Sequence, residues 1–184
     1  MKLLLTLSGL IDRLNTMIGK SVYWLILAAV LVSAGNATIR YAFNESSNAW
    51  LEIQWYLFAA VFLLTSGYTL LRNEHIRIDV LTSGLSRRSH AWIDLIGGLL
   101  FLLPVTIMIM WLSIPIFVDS FVTGELSSDA GGLIRWPAKI LIPLGFGLLA
   151  LQGISEIIKR IAFLVGAIEH YGAPTAGHHG GAKQ

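Results

Sequence analysis

Polar side chains that could carry chemistry gather at the two ends of one apolar run in this sequence. Trp50, Glu52 and Gln54 lie at its start, and a charged cluster follows its last residue, Leu71. The charged cluster comprises Arg72, Glu74, His75, Arg77 and Asp79. Carboxylate, imidazole and guanidinium groups serve in acid–base catalysis, metal binding and ion pairing. The two ends of the run are therefore candidates for a catalytic site, a metal site or a contact surface.

The spacing of these residues does not favour catalysis or metal binding. None of the five histidines stands in a spacing typical of a metal site or a catalytic triad. His178 and His179 lie in a glycine-rich tail, whose composition is typical of a solvated segment. The chain contains no cysteine, which excludes thiolate ligands and disulfides. We therefore predict that the protein is not an enzyme and has no catalytic, cofactor-binding or metal-binding residue of its own.

The composition indicates a membrane protein. Hydrophobic residues make up 55% of the 184 residues and charged residues only 13%, and the mean hydropathy is +0.70. Because hydrocarbon cannot satisfy backbone polar groups, and the apolar runs show no alternation of period two, the spanning elements are predicted to be helices. The basic residues lie at the ends of these runs and not in one stripe, so no nucleic-acid partner is predicted. The prediction is an all-α membrane protein in contact with lipid.

Four apolar runs are long enough to cross a bilayer as helices. The predicted spans cover about residues 22–39, 50–71, 91–114 and 136–158, within a transmembrane domain at 21–160. Pro115 is expected to end or kink the third span. Apolar residues at steps of three and four over residues 1–20 predict an amphipathic helix that lies in the membrane interface or packs on a partner. The alternative is a frayed start of the first span.

The distribution of charge predicts the orientation in the membrane. Ten lysines and arginines fall on the side that holds both termini, against Arg40, Arg135 and Lys139 on the other side. The positive-inside rule then places both termini in the cytoplasm. The end of residues 161–184 offers nothing to pack, so this cytoplasmic tail is predicted to be disordered.

Each end of the second span allows two interpretations. Glu52 and Gln54 would lie near the outer interface, either solvated in the first helical turn or in polar contact with another subunit. The charged cluster would lie at the inner interface, where its basic residues could anchor the helix to lipid headgroups. Since Glu74 and Asp79 alternate with the basic residues, a fixed local network or a docking surface is the other interpretation.

The middles of the predicted spans carry little polarity. Ser33, Thr65, Ser66 and Thr106 lie there, without a carboxylate or a base. A self-sufficient ion-coupled carrier would require intramembrane charge, so the pattern argues against one. A self-contained small oligomeric channel or exporter remains the alternative function.

Three motifs resemble the small membrane subunit, the DctQ-like subunit, of tripartite ATP-independent periplasmic (TRAP) transporters. They are NAWLEIQWYLF at 48–58, RNEHIRIDVL at 72–81 and SRR at 86–88, and the similarity with its four-span layout covers about residues 20–165. Many members have two adjacent acidic residues after the tryptophan of the second span. Here Glu52 is followed by Ile53 and Gln54.

The resemblance implies a transport system of three parts in the bacterial inner membrane. A periplasmic substrate-binding protein would capture an organic acid, and a large multi-span permease would move it using a sodium gradient. The DctQ-like subunit would associate with the permease as a membrane scaffold and would need no cofactor. Within the resemblance, Trp50, Glu52, Gln54 and the charged cluster are the expected partner or structural contacts.

Overall fold

The computed structural model describes residues 1–45, 47–73 and 85–169, and these ranges are almost entirely helical. The helices are α1 (Lys2–Phe43), α2 (Asn48–Arg72), α3 (Arg87–Gly97), α4 (Leu103–Thr123), α5 (Trp136–Lys139) and α6 (Leu141–Leu164). A π-helical turn, Gly98–Leu102, joins α3 to α4 without a break. Within these described ranges, four helical stretches are long and apolar enough to cross a membrane: Lys2–Phe43, Asn48–Arg72, Arg87–Thr123 and Trp136–Leu164. The prediction of an all-α membrane protein is confirmed, and each predicted span lies inside one of these stretches.

Local sequence explains where the helices begin and end. Asn44 and Asn73 adopt the left-handed conformation after α1 and α2, with φ of 54° and 57°. Asparagine tolerates this conformation, which ends a helix. The hydroxyl of Ser86 accepts a hydrogen bond of 3.2 Å from the Ser89 backbone N–H and so caps the start of α3. Gly124, with φ of 62°, ends α4.

Helix α1 joins the predicted interfacial segment to the first span as one helix of 42 residues. At 1.5 Å per residue it is about 63 Å long, roughly twice the thickness of the hydrocarbon core. In its first half the polar residues Ser8 and Asn15 are buried, whereas Leu3 and Met17 are 83% and 62% exposed. The amphipathic pattern is real, but its polar face packs inward and its apolar face points outward.

The third span continues through Pro115, which lies inside α4, and the helix ends at Thr123. Of the two expectations for Pro115, an end or a kink, the end is therefore wrong. A proline removes one backbone N–H, and lipid favours keeping every other helical hydrogen bond. The irregularity lies instead at the π-helical turn, where the Leu103 N–H bonds to the Gly98 carbonyl, five residues earlier.

Helix α6 occupies the centre of the bundle, packed against α1, α2, α3 and α4. Glycines allow this close approach. A Cβ at Gly145 would lie 2.7 Å from the Leu63 carbonyl oxygen, and one at Gly67 would lie 3.0 Å from the Leu148 carbonyl oxygen. Close backbone packing by small residues is typical of helices in membranes, where large apolar side chains face lipid.

Candidate functional site

A short hairpin between α4 and α5, residues 125–135, covers one end of the bundle. Leu126 and Ile134 form an antiparallel bridge. The Ser127 N–H donates to the Leu133 carbonyl at 2.9 Å, and the Gly132 N–H donates to the Asp129 carbonyl at 3.0 Å. We call this segment the hairpin cap.

One face of α2 holds the hairpin cap in place. Asn48, Glu52 and Tyr56 follow one another at four-residue steps, so they lie on the same side of the helix. The Asn48 amide donates to the Ala130 carbonyl at 2.9 Å, and the Tyr56 hydroxyl donates to the Ile134 carbonyl at 3.2 Å. Contacts from the first and third turns of α2 thus tie this helix to the hairpin cap.

Glu52 makes the central contact. Its side chain is only 6% exposed and accepts hydrogen bonds from the Leu133 backbone N–H at 2.6 Å and from the Ser127 hydroxyl. A Cβ at Gly132 would lie 2.8 Å from Glu52 Oε1, so glycine is required there for the carboxylate to fit. Neither interpretation of Glu52 from the sequence included this contact within the chain itself. No local pattern indicates it, since Leu133 lies 81 residues away.

An ion pair closes the hairpin cap against α5. The Lys139 ammonium contacts the Glu125 carboxylate, and the Arg135 guanidinium donates to the Ser128 hydroxyl at 3.4 Å. The hydrogen bond from Lys139 lowers the pKa of the Glu125 carboxyl below its usual value, and the charge of Arg135 acts in the same direction. The hairpin cap is therefore fixed on two sides, by α2 and by α5.

The other predicted site residues are partly described by the structure. Trp50 is 42% exposed, and Gln54 is half-buried beside a cleft between α1 and α2. Arg72 is the last residue of α2. Glu74, His75, Arg77 and Asp79 lie outside the described residues, so their role as contacts stays a prediction.

A buried polar network lies toward the opposite end of the bundle, between α1 and α6. The Asn15 amide donates to Gln152 Oε1 at 3.0 Å, and the Gln152 amide donates to Asp12 Oδ1 at 2.8 Å. The Ser155 hydroxyl donates to the same Asp12 oxygen at 2.7 Å. Asn15, Gln152 and Ser155 have no exposed surface. These bonds join side chains that are 137 to 143 residues apart in the sequence.

Ion pairs continue this network toward α3. Lys159 lies 3.0 Å from Asp12 Oδ2 and also contacts Glu156. Arg160 contacts Glu156 and lies 3.3 Å from Asp94 Oδ2 on α3. Glu156 and Arg160 are 6% and 7% exposed. Helices α1, α3 and α6 are therefore linked by one continuous set of hydrogen bonds and ion pairs, which we call the buried network.

The buried network fixes the relative positions of three helices. Removing one member of a buried ion pair is costly, because its partner is left charged without compensation. Sliding α1 along α6 would break several of these bonds together. The arrangement therefore suits a rigid support better than a moving carrier element.

The buried network was not predicted from the sequence, because charged residues were considered only at the middle of each predicted span. Glu156 lies six residues, or about 9 Å, from the middle of the span Trp136–Leu164, between the middle and the end. The sequence does contain a pattern that indicates the buried network. Ser8, Asp12 and Asn15 recur at steps of four and three on α1, and so do Gln152, Glu156 and Lys159 on α6, each set forming one polar stripe on an apolar helix.

Comparison with known families gives a match. The family described as tripartite ATP-independent periplasmic transporters, DctQ component, matches residues 29–163. The matched range covers the hairpin cap, the α6 part of the buried network and most of the four spans. No curated protein and no solved structure matches the chain.

Proposed function

Because the chain belongs to the DctQ component family of tripartite ATP-independent periplasmic transporters, we propose that it is the scaffold of an organic-acid importer. In this proposal it binds a large multi-span permease subunit in the bacterial inner membrane, with both termini in the cytoplasm. A periplasmic substrate-binding protein delivers the acid, and the permease alone uses the sodium gradient. The family is one of transporter components and not of enzymes.

The observation that supports the scaffold role is that charged side chains inside the bundle bind other groups of the same chain. The carboxylates of Asp12, Asp94 and Glu156 contact Lys159 or Arg160, and Glu52 is bound to the hairpin cap. Ion-coupled carriers place charged groups where ions and substrate reach them. Here the charged groups named above hold helices and a loop together, which supports a fixed element against which a partner can move.

The outer surface of the bundle is suited to contact with lipid or with a partner subunit. Large apolar side chains are exposed on each of the four membrane-crossing stretches, for example Trp24, Phe62, Phe101 and Leu144 at 73%, 77%, 70% and 50%. Contiguous exposed apolar surface marks contact with lipid or with another protein. A helical permease subunit could cover part of this surface.

Co-purification combined with a flux assay tests the proposal. The tagged full chain, extracted in mild detergent, is expected to carry a larger multi-span subunit. Proteoliposomes with both subunits and the matching binding protein are expected to accumulate an organic acid when a sodium gradient is imposed. Proteoliposomes with this chain alone are expected to show no flux.

The same experiment tests the alternative function. Solute flux through the chain alone, or its consistent isolation as a lone homo-oligomer, would contradict the scaffold role and support a self-contained channel or exporter. A matched control is the permease reconstituted without this chain, for which lower uptake is expected.

A further inference from the structure

A polar cleft of about 480 Å³ opens between α1 and α2 at the end of the bundle that carries the hairpin cap. Its lining residues are Ser33, Asn36, Ala37, Arg40, Tyr41, Asn44 and Gln54. The volume lies within the range of small-molecule binding sites.

Polar groups in the cleft lack partners within the part of the chain that the structure describes. Asn36 is only 8% exposed and makes no side-chain hydrogen bond to any described residue. Gln54 makes none either, and Arg40 pairs with no described carboxylate. The Asn36 amide lines the cleft, so a ligand bound there can form a hydrogen bond with it, worth about 0.5–1.5 kcal/mol.

The lining is suited to an anion. The described residues that line it contribute one guanidinium group and several amide and hydroxyl groups, and none of them has a carboxylate. A guanidinium binds phosphate with two parallel hydrogen bonds, and amide N–H groups add neutral donors. A phosphate ester with further ester oxygens matches this set of donors.

The depth of the residues favours a phospholipid. Asn36 lies one helical turn, or about 6 Å, deeper along α1 than Arg40, which is in the last turn of the helix. The headgroup region adds roughly 5–8 Å to each side of the hydrocarbon core. The separation of Arg40 and Asn36 along α1 therefore matches the thickness of one headgroup layer, and Tyr41, 95% exposed, has the amphipathic ring typical of this interface.

We propose that this cleft binds the headgroup of an anionic phospholipid. The Arg40 guanidinium holds the phosphate, and the Asn36 and Gln54 amides donate to glycerol and ester oxygens one turn deeper. The bound lipid completes the wall between α1 and α2 and satisfies Asn36. The proposal does not depend on the transport partner.

Native mass spectrometry of the full chain in detergent, titrated with phosphatidylglycerol, measures the binding. We expect Arg40→Gln to weaken retention about tenfold and Asn36→Ala about fivefold, in line with the loss of a charged and a neutral hydrogen bond. Arg13→Gln removes an exposed positive charge from the same helix, away from the cleft, and is expected to bind as the wild type does. Arg40→Lys keeps the charge without the forked geometry and is expected to lie between wild type and Arg40→Gln.

Three results would overturn the proposal. One is equal retention by Arg40→Gln and Arg13→Gln, with both variants shown to be folded by their thermal unfolding midpoints. Another is displacement of the lipid by inorganic phosphate at a similar concentration, which would show a site for free phosphate. The third is a photo-crosslinker at Ala37 that labels a polypeptide in cells, because the proposal expects a lipid adduct.

Discussion

Substitution of Gly67 by alanine provides the sharpest test of the packing around the buried network. Gly67 lies on α2 where α1 and α6 meet it, and a Cβ there would lie 2.2 Å from Asn15 Oδ1 and 3.0 Å from the Leu148 carbonyl oxygen. Real Cβ atoms essentially never approach an atom as closely as the first of these distances. Either Asn15 must turn away or α2 must move outward.

The expected cost follows from these contacts. Overpacking costs about 1–3 kcal/mol. If Asn15 turns away, Gln152 loses its 3.0 Å hydrogen bond, and an unpaired buried acceptor costs about 1–3 kcal/mol. The higher helix propensity of alanine offsets about 1 kcal/mol of this loss of stability. We expect the free energy of unfolding to fall by about 3 kcal/mol.

Denaturant titration of the purified chain, followed by circular dichroism, measures this change. Gly35→Ala is the matched control, because Gly35 is also inside a long helix and a Cβ added there would meet nothing within 4 Å. We expect Gly35→Ala to be neutral or slightly stabilising. If Gly67→Ala is as stable as Gly35→Ala, the close contact between α2 and the buried network does not exist as described.

Three further predictions concern the buried network and the hairpin cap. Lys159→Met leaves Asp12 without its cation, whereas Glu156 keeps its contact with Arg160, and is expected to lower the free energy of unfolding by about 3 kcal/mol in the same titration. Glu52→Ala removes the acceptor of the Leu133 N–H, so amide exchange at Leu133 is expected to accelerate, measured by hydrogen exchange with mass spectrometry. Because Lys139 lowers the pKa of Glu125, the stability that this pair gives the hairpin cap is present above the unfolded pKa of about 4.3 and is lost as pH falls through the lower folded value. The loss is followed by tryptophan fluorescence as the pH is lowered, and Lys139→Met is expected to reduce this acid dependence.

Controls separate these effects from general damage. Lys2→Met removes an exposed lysine from α1 and is expected to leave the stability unchanged. Glu52→Gln keeps an oxygen acceptor and is expected to protect Leu133 better than Glu52→Ala. If Lys159→Met is as stable as Lys2→Met, the ion pairs of Lys159 contribute nothing to stability. If Glu52→Ala leaves amide exchange at Leu133 unchanged, the hydrogen bond from Leu133 to Glu52 contributes nothing to the stability of the hairpin cap. An unchanged acid profile in Lys139→Met would exclude the ion pair as its cause.

The membrane architecture could be predicted from the sequence because it depends on length and polarity. A run of about 20 apolar residues spans hydrocarbon whatever it packs against, and backbone groups in lipid require a helix. The four spans follow from this rule alone. The motifs at 48–58 and 72–81 pointed to the family for a different reason, since they depend on residue identity and not on packing.

The contacts of the polar residues could not be predicted from the sequence. The sequence makes Glu52 a candidate contact residue, yet its partner Leu133 is 81 residues away and is reached only through the folded hairpin cap. Asn48 and Tyr56 share its face of α2, and neither residue type indicates a contact when its position is considered alone.

The sequence by itself determined that this chain is a four-span helical membrane protein and which family it resembles. Only the tertiary structure decided which faces of the helices turn inward. In water a polar stripe faces solvent, but in a membrane the same stripe is stabilised by burial against another polar stripe. The polar stripe of α1 is compatible with either orientation, toward solvent or toward another helix. The contacts of Asp12 and Asn15 with α6 decide it, and such contacts exist only once distant parts of the chain have met.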